Sequence, residues 1–155
     1  MISLSEILNA ECVRLNLAAR SKEEVITEMA HLLVEAGKLA DSTSLIIALM
    51  ERERMVSTGI GKGIAIPHAI LNEINETVLA FGRKREGLSF DALDRKPVRL
   101  IFLLAGPKNQ ELAHLQVLSR LVRFLRDPDF RNALLEAEEV GEVMDFLKRW
   151  EEKET

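Results

Sequence analysis

One histidine of this sequence has neighbours that suit chemistry. His68 follows a proline and a short apolar run at positions 64–66, and three glycines, Gly59, Gly61 and Gly63, come before that run. Imidazole is the side chain most easily used as a nucleophile or proton carrier near neutral pH. The amides of a glycine-rich loop can bind an oxyanion or a phosphoryl group. A histidine after proline is more often a plain turn residue, so the spacing alone leaves both interpretations open.

The residues around this loop add further donors. The hydroxyls of Ser57 and Thr58 precede the glycines, and Lys62 lies inside the loop. An ammonium group is a less directional donor than a guanidinium, so Lys62 is better read as a surface contact for a partner. The candidate phosphate-binding residues are Ser57, Thr58, Gly59 and Gly61.

Two other positions could join His68. His114 lies near the start of a predicted helix, just after the strongest predicted strand, and neighbouring strands bring such ends together. It could donate a hydrogen bond to a phosphoryl group or simply pack as a partly buried helix residue, and the pattern alone does not decide. Arg52 and Arg54 end the helix before the loop. Either could hold a phosphoryl group, or both could belong to a solvated charged face.

The composition argues against several other kinds of function. Of the 155 residues 47% are hydrophobic and 30% charged, with a net charge of −4 and no basic stripe, so we expect no nucleic-acid binding. The three histidines and single cysteine fit no metal-site spacing, and no nucleotide-binding fingerprint occurs, so we expect neither metal nor cofactor. Without a signal peptide or a long apolar run, the protein is predicted to be cytoplasmic and not embedded in a membrane. Cys12 reads as a small buried residue of a strand, and His31 as a helix-surface or packing residue.

The periodicity predicts one α/β domain over residues 1–155, with a frayed tail at about 151–155. Leu112, Leu115, Leu118, Val122 and Leu125 are predicted to face the core from the helix that carries His114. This order of elements predicts a three-layer sandwich, a mixed sheet of about five strands with helices on both faces. The predicted helices cover 4–9, 22–36, 42–54, 110–126, 128–137 and 140–150, and the predicted strands cover 12–17, 64–66, 77–83, 88–90 and 98–104.

The stretch 51–69, ERERMVSTGIGKGIAIPHA, resembles the active-site segment of a known family. That family comprises the type-2 IIA proteins of the bacterial phosphoenolpyruvate-dependent phosphotransferase system, the fructose, mannitol and nitrogen class. Its pattern has an acidic or amide residue, six free positions, an apolar and a small residue, two free positions, then apolar-Ala-apolar-Pro-His-small. The fixed places are filled by Glu53, Ile60, Gly61, Ile64, Ala65, Ile66, Pro67, His68 and Ala69.

The resemblance implies a role for each candidate. His68 falls on the phosphorylated histidine, with phosphorylation expected on Nε2, and His114 falls on a second active-site histidine. Arg52 lies at the family's arginine position, which favours it over Arg54 for contact with the phosphoryl group or a partner. The implied donor is a histidine phosphocarrier protein of the HPr type. An apolar rim would aid docking of that partner, and Ile60, Ile64, Ile70 and Leu71 are candidates for it.

The resemblance covers nearly the whole chain and leaves two functional classes. The segments LSEILNAECV and FDALDRKPV resemble the nitrogen-related IIA proteins in particular, as does the stand-alone domain. That favours a regulator whose phosphorylation state changes which target proteins it binds. The alternative is a sugar-specific component that passes the phosphoryl group to a IIB domain. A domain that has lost the chemistry is less consistent with the joint presence of His68, Arg52 and His114.

Overall fold

The computed structural model describes residues 2–154, and these form a mixed six-stranded sheet with helices on both sides. The predicted three-layer α/β class is confirmed, with one strand more than the estimate of about five. The strands are β1 Leu8–Arg14, β2 Gly59–Gly61, β3 Ile64–Ala65, β4 His68–Ile70, β5 Val78–Leu88 and β6 Val98–Gly106. The helices are α1 Leu4–Ile7, α2 Lys22–Glu35, α3 Thr43–Met55, α4 Glu111–Leu125, α5 Pro128–Glu136 and α6 Val140–Lys153, with a 3₁₀ turn at Lys108–Gln110.

The sheet is built around β6, which pairs with three other strands. The order across the sheet is β1, β5, β6, β3 and β2, and β4 also pairs with β6, beyond β3 along the same edge. β5 and β6 are antiparallel, whereas β3 and β4 run parallel to β6. All residues of β6 except Arg99 are buried, as its continuous apolar run predicts for a central strand. The strand that follows the glycines therefore lies beside the most buried strand of the protein.

The helices pack on different parts of the sheet. α2 packs on β5 and α3 packs beside β4, whereas α4 and α5 pack on β6 and α6 packs on β1. Ser21 is the N-cap of α2, since its hydroxyl accepts from the Glu24 amide, and the Glu24 carboxylate accepts from the amide of Arg20, the residue before the cap. Cys12 is fully buried in β1 as predicted. His31 is exposed on α2, so it is a helix-surface residue.

The predicted inward face of α4 was partly wrong. Leu112 and Leu115 are 70% and 60% exposed, although their spacing predicted core positions. The buried residues of this helix are His114, Val117, Arg120, Leu121, Phe124 and Leu125. The helix is apolar on more than one side, and its inward face carries a histidine and an arginine, so spacing alone favours the strip of leucines. Two exposed leucines therefore lie on either side of His114 in the sequence.

The predicted frayed tail at 151–155 was also wrong over most of its length. α6 continues to Lys153, and Glu151 is only 7% exposed. Its carboxylate accepts hydrogen bonds from the amides of Leu4 and Ser5 and from the hydroxyl of Ser3. These bonds satisfy amides at the start of α1 that have no partner within the helix. Thr155, the last residue of the predicted tail, lies outside the described residues.

Candidate functional site

His68 opens a strand that the sheet holds in one register on both sides of a proline. Ile64 lies opposite Leu100 of β6, and His68 lies opposite Leu104, so the offset is the same before and after Pro67. Proline has no N–H to donate to a sheet, which explains the break between β3 and β4. The Leu104 amide still donates to the carbonyl of Pro67 at 3.0 Å. The backbone that carries His68 is therefore fixed by the central strand.

The His68 ring is fixed by a bond to its own loop. Its Nδ1 lies 2.7 Å from the carbonyl oxygen of Ile66. A carbonyl oxygen can only accept, so Nδ1 must carry the hydrogen of this bond. In the neutral ring the lone pair then lies on Nε2. The side chain is half-buried, and a single backbone carbonyl determines which of its nitrogens carries the hydrogen.

The structure brings His114 next to His68. After β6 the chain passes through Pro107 and the 3₁₀ turn and enters α4, which places His114 in the first turn of that helix. The two ring centroids are 5.9 Å apart, with the ring planes at 54°. One group bound between these rings could touch both. The sequence argument from adjacent strand ends predicted that these two residues would lie close together, and they do.

His114 is built to stay uncharged. Burial lowers the pKa of His114, the nearby His68 lowers it further, and Glu111 raises it again in part. Its Nδ1 is buried and is the one such side-chain atom of residues 2–154 without a hydrogen-bond partner. An unpaired lone pair is less costly to bury than an unpaired N–H. The arrangement favours a neutral ring with its hydrogen on Nε2.

The two candidate arginines lie at the end of α3. Arg52 is half-buried, and its Nη1 donates to the carbonyl of Val56 at 3.1 Å. This bond closes the end of its own helix and is not a contact with either histidine. Arg54 is exposed. Because α3 packs beside β4, the end of this helix lies on the His68 side of the sheet.

The hydroxyls of Ser57 and Thr58 are used within the protein. Ser57 Oγ donates to the carbonyl of Phe90 at 2.7 Å and accepts from the Gly59 amide at 3.0 Å. Thr58 is buried, and both its hydroxyl and its amide donate to the carboxylate of Glu53. These donors hold the segment between α3 and β2 in place. To bind a phosphoryl group they would have to give up these partners.

The glycine segment is a hairpin rather than an open loop. Gly59 and Gly61 lie in β2, which pairs antiparallel with β3, and Lys62 and Gly63 form the tight turn with positive φ angles of 58° and 78°. The Lys62 amide donates to the exposed carboxylate of Asp94. The glycines were expected to form a loop whose amides could bind a phosphoryl group, and sheet pairing uses part of this backbone.

Apolar side chains are exposed along the elements that carry the site. Of the four predicted rim residues, Ile60 and Ile70 are 42% and 37% exposed, whereas Ile64 and Leu71 are buried. The sequence reasoning missed four others that carry much of the exposed apolar surface on these segments. They are Met55, Val56, Leu112 and Leu115.

Glu53 is the residue near the site that sequence reasoning left without a role. It is buried in the last turns of α3, and its Oε2 lies 3.3 Å from the ammonium of Lys22 at the start of α2. The signal for it was present, because Glu53 fills the first fixed place of the motif. Nothing in the local pattern pointed to Lys22, which lies 31 positions earlier.

Residues 6–150 match the family described as "Phosphoenolpyruvate-dependent sugar phosphotransferase system, EIIA 2". The chain belongs to this family. The match spans nearly all of the described residues and includes both histidines of the site. The resemblance seen in the segment around His68 is therefore confirmed along the length of the chain.

Curated relatives of this IIA domain carry two kinds of name. A fructose-specific EIIA component from Haloferax volcanii is 40% identical over 93% of this chain and 94% of its own length. A nitrogen regulatory protein from Klebsiella oxytoca is 37% identical over 94% of this chain and 90% of its own. A fructose-specific EIIABC component from Bacillus subtilis is 38% identical over 96% of this chain, but the chain spans only 23% of that protein's length.

Solved structures agree with the fold. The nitrogen regulatory protein IIA-Ntr from Neisseria meningitidis superposes with a TM-score of 0.86 at 35% identity, covering 93% of this chain and 98% of that one. The mannitol IIA enzyme of Escherichia coli, solved in complex with its phosphorylated IIB enzyme, gives a TM-score of 0.77 at 27% identity, covering 90% and 96%. Among residues 2–154 of this IIA domain, no helix combines the length and apolar character needed to cross a bilayer.

Proposed function

We propose that this IIA domain accepts a phosphoryl group on Nε2 of His68 from a histidine phosphocarrier of the HPr type. The observation that carries the proposal is the 2.7 Å bond from Nδ1 of His68 to the Ile66 carbonyl. That bond commits the ring hydrogen to Nδ1 and leaves the lone pair of Nε2 as the nucleophile. An imidazole without such a partner would spend much of its time in the other tautomer.

The transfer step needs no cofactor. The lone pair of Nε2 forms a new N–P bond while the N–P bond of the donor's phosphohistidine breaks, and the donor ring keeps that electron pair. Charge is spread over three phosphoryl oxygens in the transition state, so positioned hydrogen-bond donors supply most of the catalysis. Two imidazoles must approach in line, which is consistent with His68 being half-buried rather than enclosed.

His114 is the first candidate for a donor to those oxygens. With its pKa lowered by burial it is neutral near pH 7, and a hydrogen on Nε2 leaves one N–H available. Arg52 is the second, once its bond to the Val56 carbonyl is exchanged for one to a phosphoryl oxygen. Gly59, Gly61 and the hydroxyls of Ser57 and Thr58 remain weaker candidates, because part of their hydrogen-bonding capacity is used within the protein.

Downstream, we propose a regulatory role that depends on phosphorylation. A phosphoryl group adds about −1.5 to −2 charges, enough to reverse docking at a half-buried histidine with exposed apolar neighbours. The likeness to nitrogen regulatory proteins, at 37% identity, supports this role. It also agrees with a cytoplasmic location, where the phosphocarrier and its targets would meet this domain.

A specific observation keeps transfer to a IIB domain as a second candidate. A relative that matches this chain over 94% of its own length is named as a fructose-specific component and is 40% identical, so the likeness to nitrogen regulatory proteins does not by itself decide the role. The mannitol IIA enzyme was solved with phosphorylated IIB, which gives this role a structural precedent. Transfer to a IIB domain uses the same nucleophile, so both roles depend on His68.

The proposal is tested by incubating the protein with phosphoenolpyruvate, enzyme I and an HPr-type carrier and measuring its intact mass. We expect one added phosphate that is lost in acid, and none on His68→Ala. His31→Ala, which removes the exposed histidine of α2, is the matched control and should be labelled like the wild type. A phosphate that persisted on His68→Ala would exclude His68 as the acceptor and point to His114.

The two downstream roles separate in a second step. Purified phosphorylated protein is mixed with fructose-type and mannitol-type IIB domains, and loss of its phosphate is followed by mass. Rapid transfer to one of them would favour the transport role. Retention of the phosphate, together with partners captured from a lysate by only one phosphorylation state, would favour regulation.

A further inference from the structure

A chain of hydrogen bonds connects a buried ion pair to the His68 ring. Lys22 Nζ lies 3.3 Å from Oε2 of Glu53, and the Glu53 carboxylate accepts from the amide and hydroxyl of Thr58. The Thr58 carbonyl accepts from the Ile66 amide at 3.0 Å. The Ile66 carbonyl in turn accepts from Nδ1 of His68 at 2.7 Å. Four contacts therefore separate the Lys22 ammonium from the imidazole.

The ion pair at the start of this chain is shielded from water. The side chains of Lys22 and Glu53 are only 12% and 3% exposed. The ammonium also lies 3.5 Å from a carboxylate oxygen of Asp91 and 5.2 Å from the centre of the Phe90 ring. A buried charge that loses its partner is costly, so each member of this pair holds the other in place.

Lys22 and Phe90 also hold residues 57 and 58, the segment that leads from α3 into the hairpin. Ser57 donates to the Phe90 carbonyl, and Lys22 packs over the ring of that same residue. Residues 57 and 58 are thus held by contacts with three parts of the chain: the start of α2, the end of α3 and the segment after β5. The Thr58 carbonyl, which holds Ile66, has little freedom to move.

The connection acts through position and not through polarisation. The amide and the carbonyl of Thr58 belong to different peptide groups, and the same is true of Ile66, so charge at Glu53 is not relayed along the bonds. The hydrogen bonds act by fixing the position of the Ile66 carbonyl. That carbonyl decides which nitrogen of His68 carries the hydrogen.

We infer that Glu53 and Lys22 are positioning residues for phosphoryl acceptance, which set the tautomer of His68 through Thr58 and Ile66. The inference rests on the proposed role of His68 as the acceptor. Neither residue touches the reacting atoms. Their contribution is to keep Nδ1 of His68 bonded and Nε2 free before the donor arrives.

The decisive measurement is the tautomer of His68 by ¹⁵N NMR of the unphosphorylated protein, at a pH where the ring is neutral. We expect hydrogen on Nδ1 in the wild type and a shift toward the Nε2–H tautomer in Glu53→Ala. Phosphorylation by the charged carrier should slow about tenfold in that variant, because a smaller share of the rings then has a free lone pair on Nε2. Glu51→Ala removes an exposed carboxylate from the same helix and should match the wild type in both measurements.

Conservative variants keep the test informative if Glu53→Ala does not fold. Glu53→Gln keeps an acceptor for the Thr58 amide and loses the charge pair, so it should keep more of the Nδ1–H tautomer and of the rate than Glu53→Ala. Thr58→Val removes the hydroxyl and keeps the amide and carbonyl, so it should lie close to Glu53→Gln. Lys22→Met should weaken the tautomer preference without altering a group near the ring.

The outcomes separate this inference from the proposed function. Folded Glu53 and Lys22 variants that keep the wild-type tautomer and the wild-type rate would overturn the positioning role. A wild-type protein that takes no phosphate from a charged carrier would overturn the proposed function. Even then, the NMR measurement would still decide whether the ion pair sets the tautomer of the His68 ring.

Discussion

His114 should make the stability of the folded domain depend on pH. Burial lowers the pKa of His114, the charge of His68 lowers it further, and Glu111 opposes both. Below the ordinary histidine pKa of about 6.5, the unfolded chain binds a proton that the folded site resists. This contribution to stability is therefore complete above about pH 6.5 and is lost as the pH falls toward the folded pKa.

Thermal unfolding from about pH 8 to about pH 5 measures this effect. The wild type should lose more of its melting temperature over that range than His114→Gln, which carries no titrating ring. His31→Gln, at an exposed position, should follow the wild type. Parallel curves for the wild type and His114→Gln would show that the buried ring does not resist protonation.

Single residues were predicted unevenly from the sequence, and the reason is physical. His68 was predictable because the motif and the chemistry of imidazole point to the same position. The bond from Thr58 to Glu53 was not predicted, because a hydroxyl beside a glycine segment reads as a ligand until its partner is known. That partner, Glu53, is a local neighbour, but the Lys22 that completes the site comes from another helix and leaves no local pattern.

The start of α4 should contribute docking surface rather than stability. Leu112 and Leu115 are 70% and 60% exposed on either side of His114, so replacing them removes little buried area. We expect Leu112→Ser with Leu115→Ser to raise the apparent KM for the phosphorylated carrier several-fold with kcat nearly unchanged, the pattern of lost binding. Ile47→Ser, a change of an apolar residue that is 53% exposed near the start of α3, is the control.

Melting temperatures of the same variants test whether Leu112 and Leu115 contribute to stability. They should lie within about 2 °C of the wild type, because surface changes rarely exceed about 0.5 kcal/mol. A large loss of stability would mean that these leucines are core residues after all, as their spacing first indicated. An unchanged KM would mean that the carrier docks elsewhere.

Elements were predicted well where one physical demand dominates. β6 is buried on both faces and reads as a continuous apolar run, and α5 starts with Asp127 and Pro128 as an N-cap and first turn. The prediction of the inward face of α4 was partly wrong because the helix combines three features: a core face, a site histidine and an exposed apolar strip. β5 continues to Leu88, beyond the predicted end at residue 83, and joins the two strands predicted at 77–83 and 88–90. The guanidinium of Arg83 is buried within it and donates to carbonyls of Leu15 and Leu134.

At the scale of the whole molecule, the site is assembled from distant parts of the chain around one strand. β6 holds the interrupted strand of His68 on one side and leads into the helix of His114 at its end. The sequence predicted the class of fold but not this order, because parallel pairing between β4 and β6 depends on contacts between residues 36 positions apart. Local periodicity carries no information about such pairings.

Hydrogen bonds between residues far apart in the sequence also connect the two ends of the described chain, and the strength of this connection can be tested. Burial would raise the pKa of Glu151, but hydrogen bonds from the amides of Ser5 and Leu4 and from the hydroxyls of Ser5 and Ser3 lower it overall. The same carboxylate lies 3.1 Å from Nε of Arg120. Because the folded pKa is depressed, this contribution is present above the ordinary glutamate pKa of about 4.3 and is lost as the pH falls through the folded value.

Removing this carboxylate should therefore loosen both ends and α4 together. Loss of one partner of a buried ion pair costs about 3–5 kcal/mol, and a domain of this size loses about 2–4 °C per kcal/mol. We expect Glu151→Ala, and truncation after Trp150, to lower the melting temperature by about 10 °C near pH 7, with an effect that shrinks as the pH falls below about 4.3. Lys148→Ala, on the exposed face of α6, is the control. A truncated protein as stable as the full chain would mean that the tail is dispensable, and that the bonds from Glu151 to the start of α1 contribute little to holding the fold.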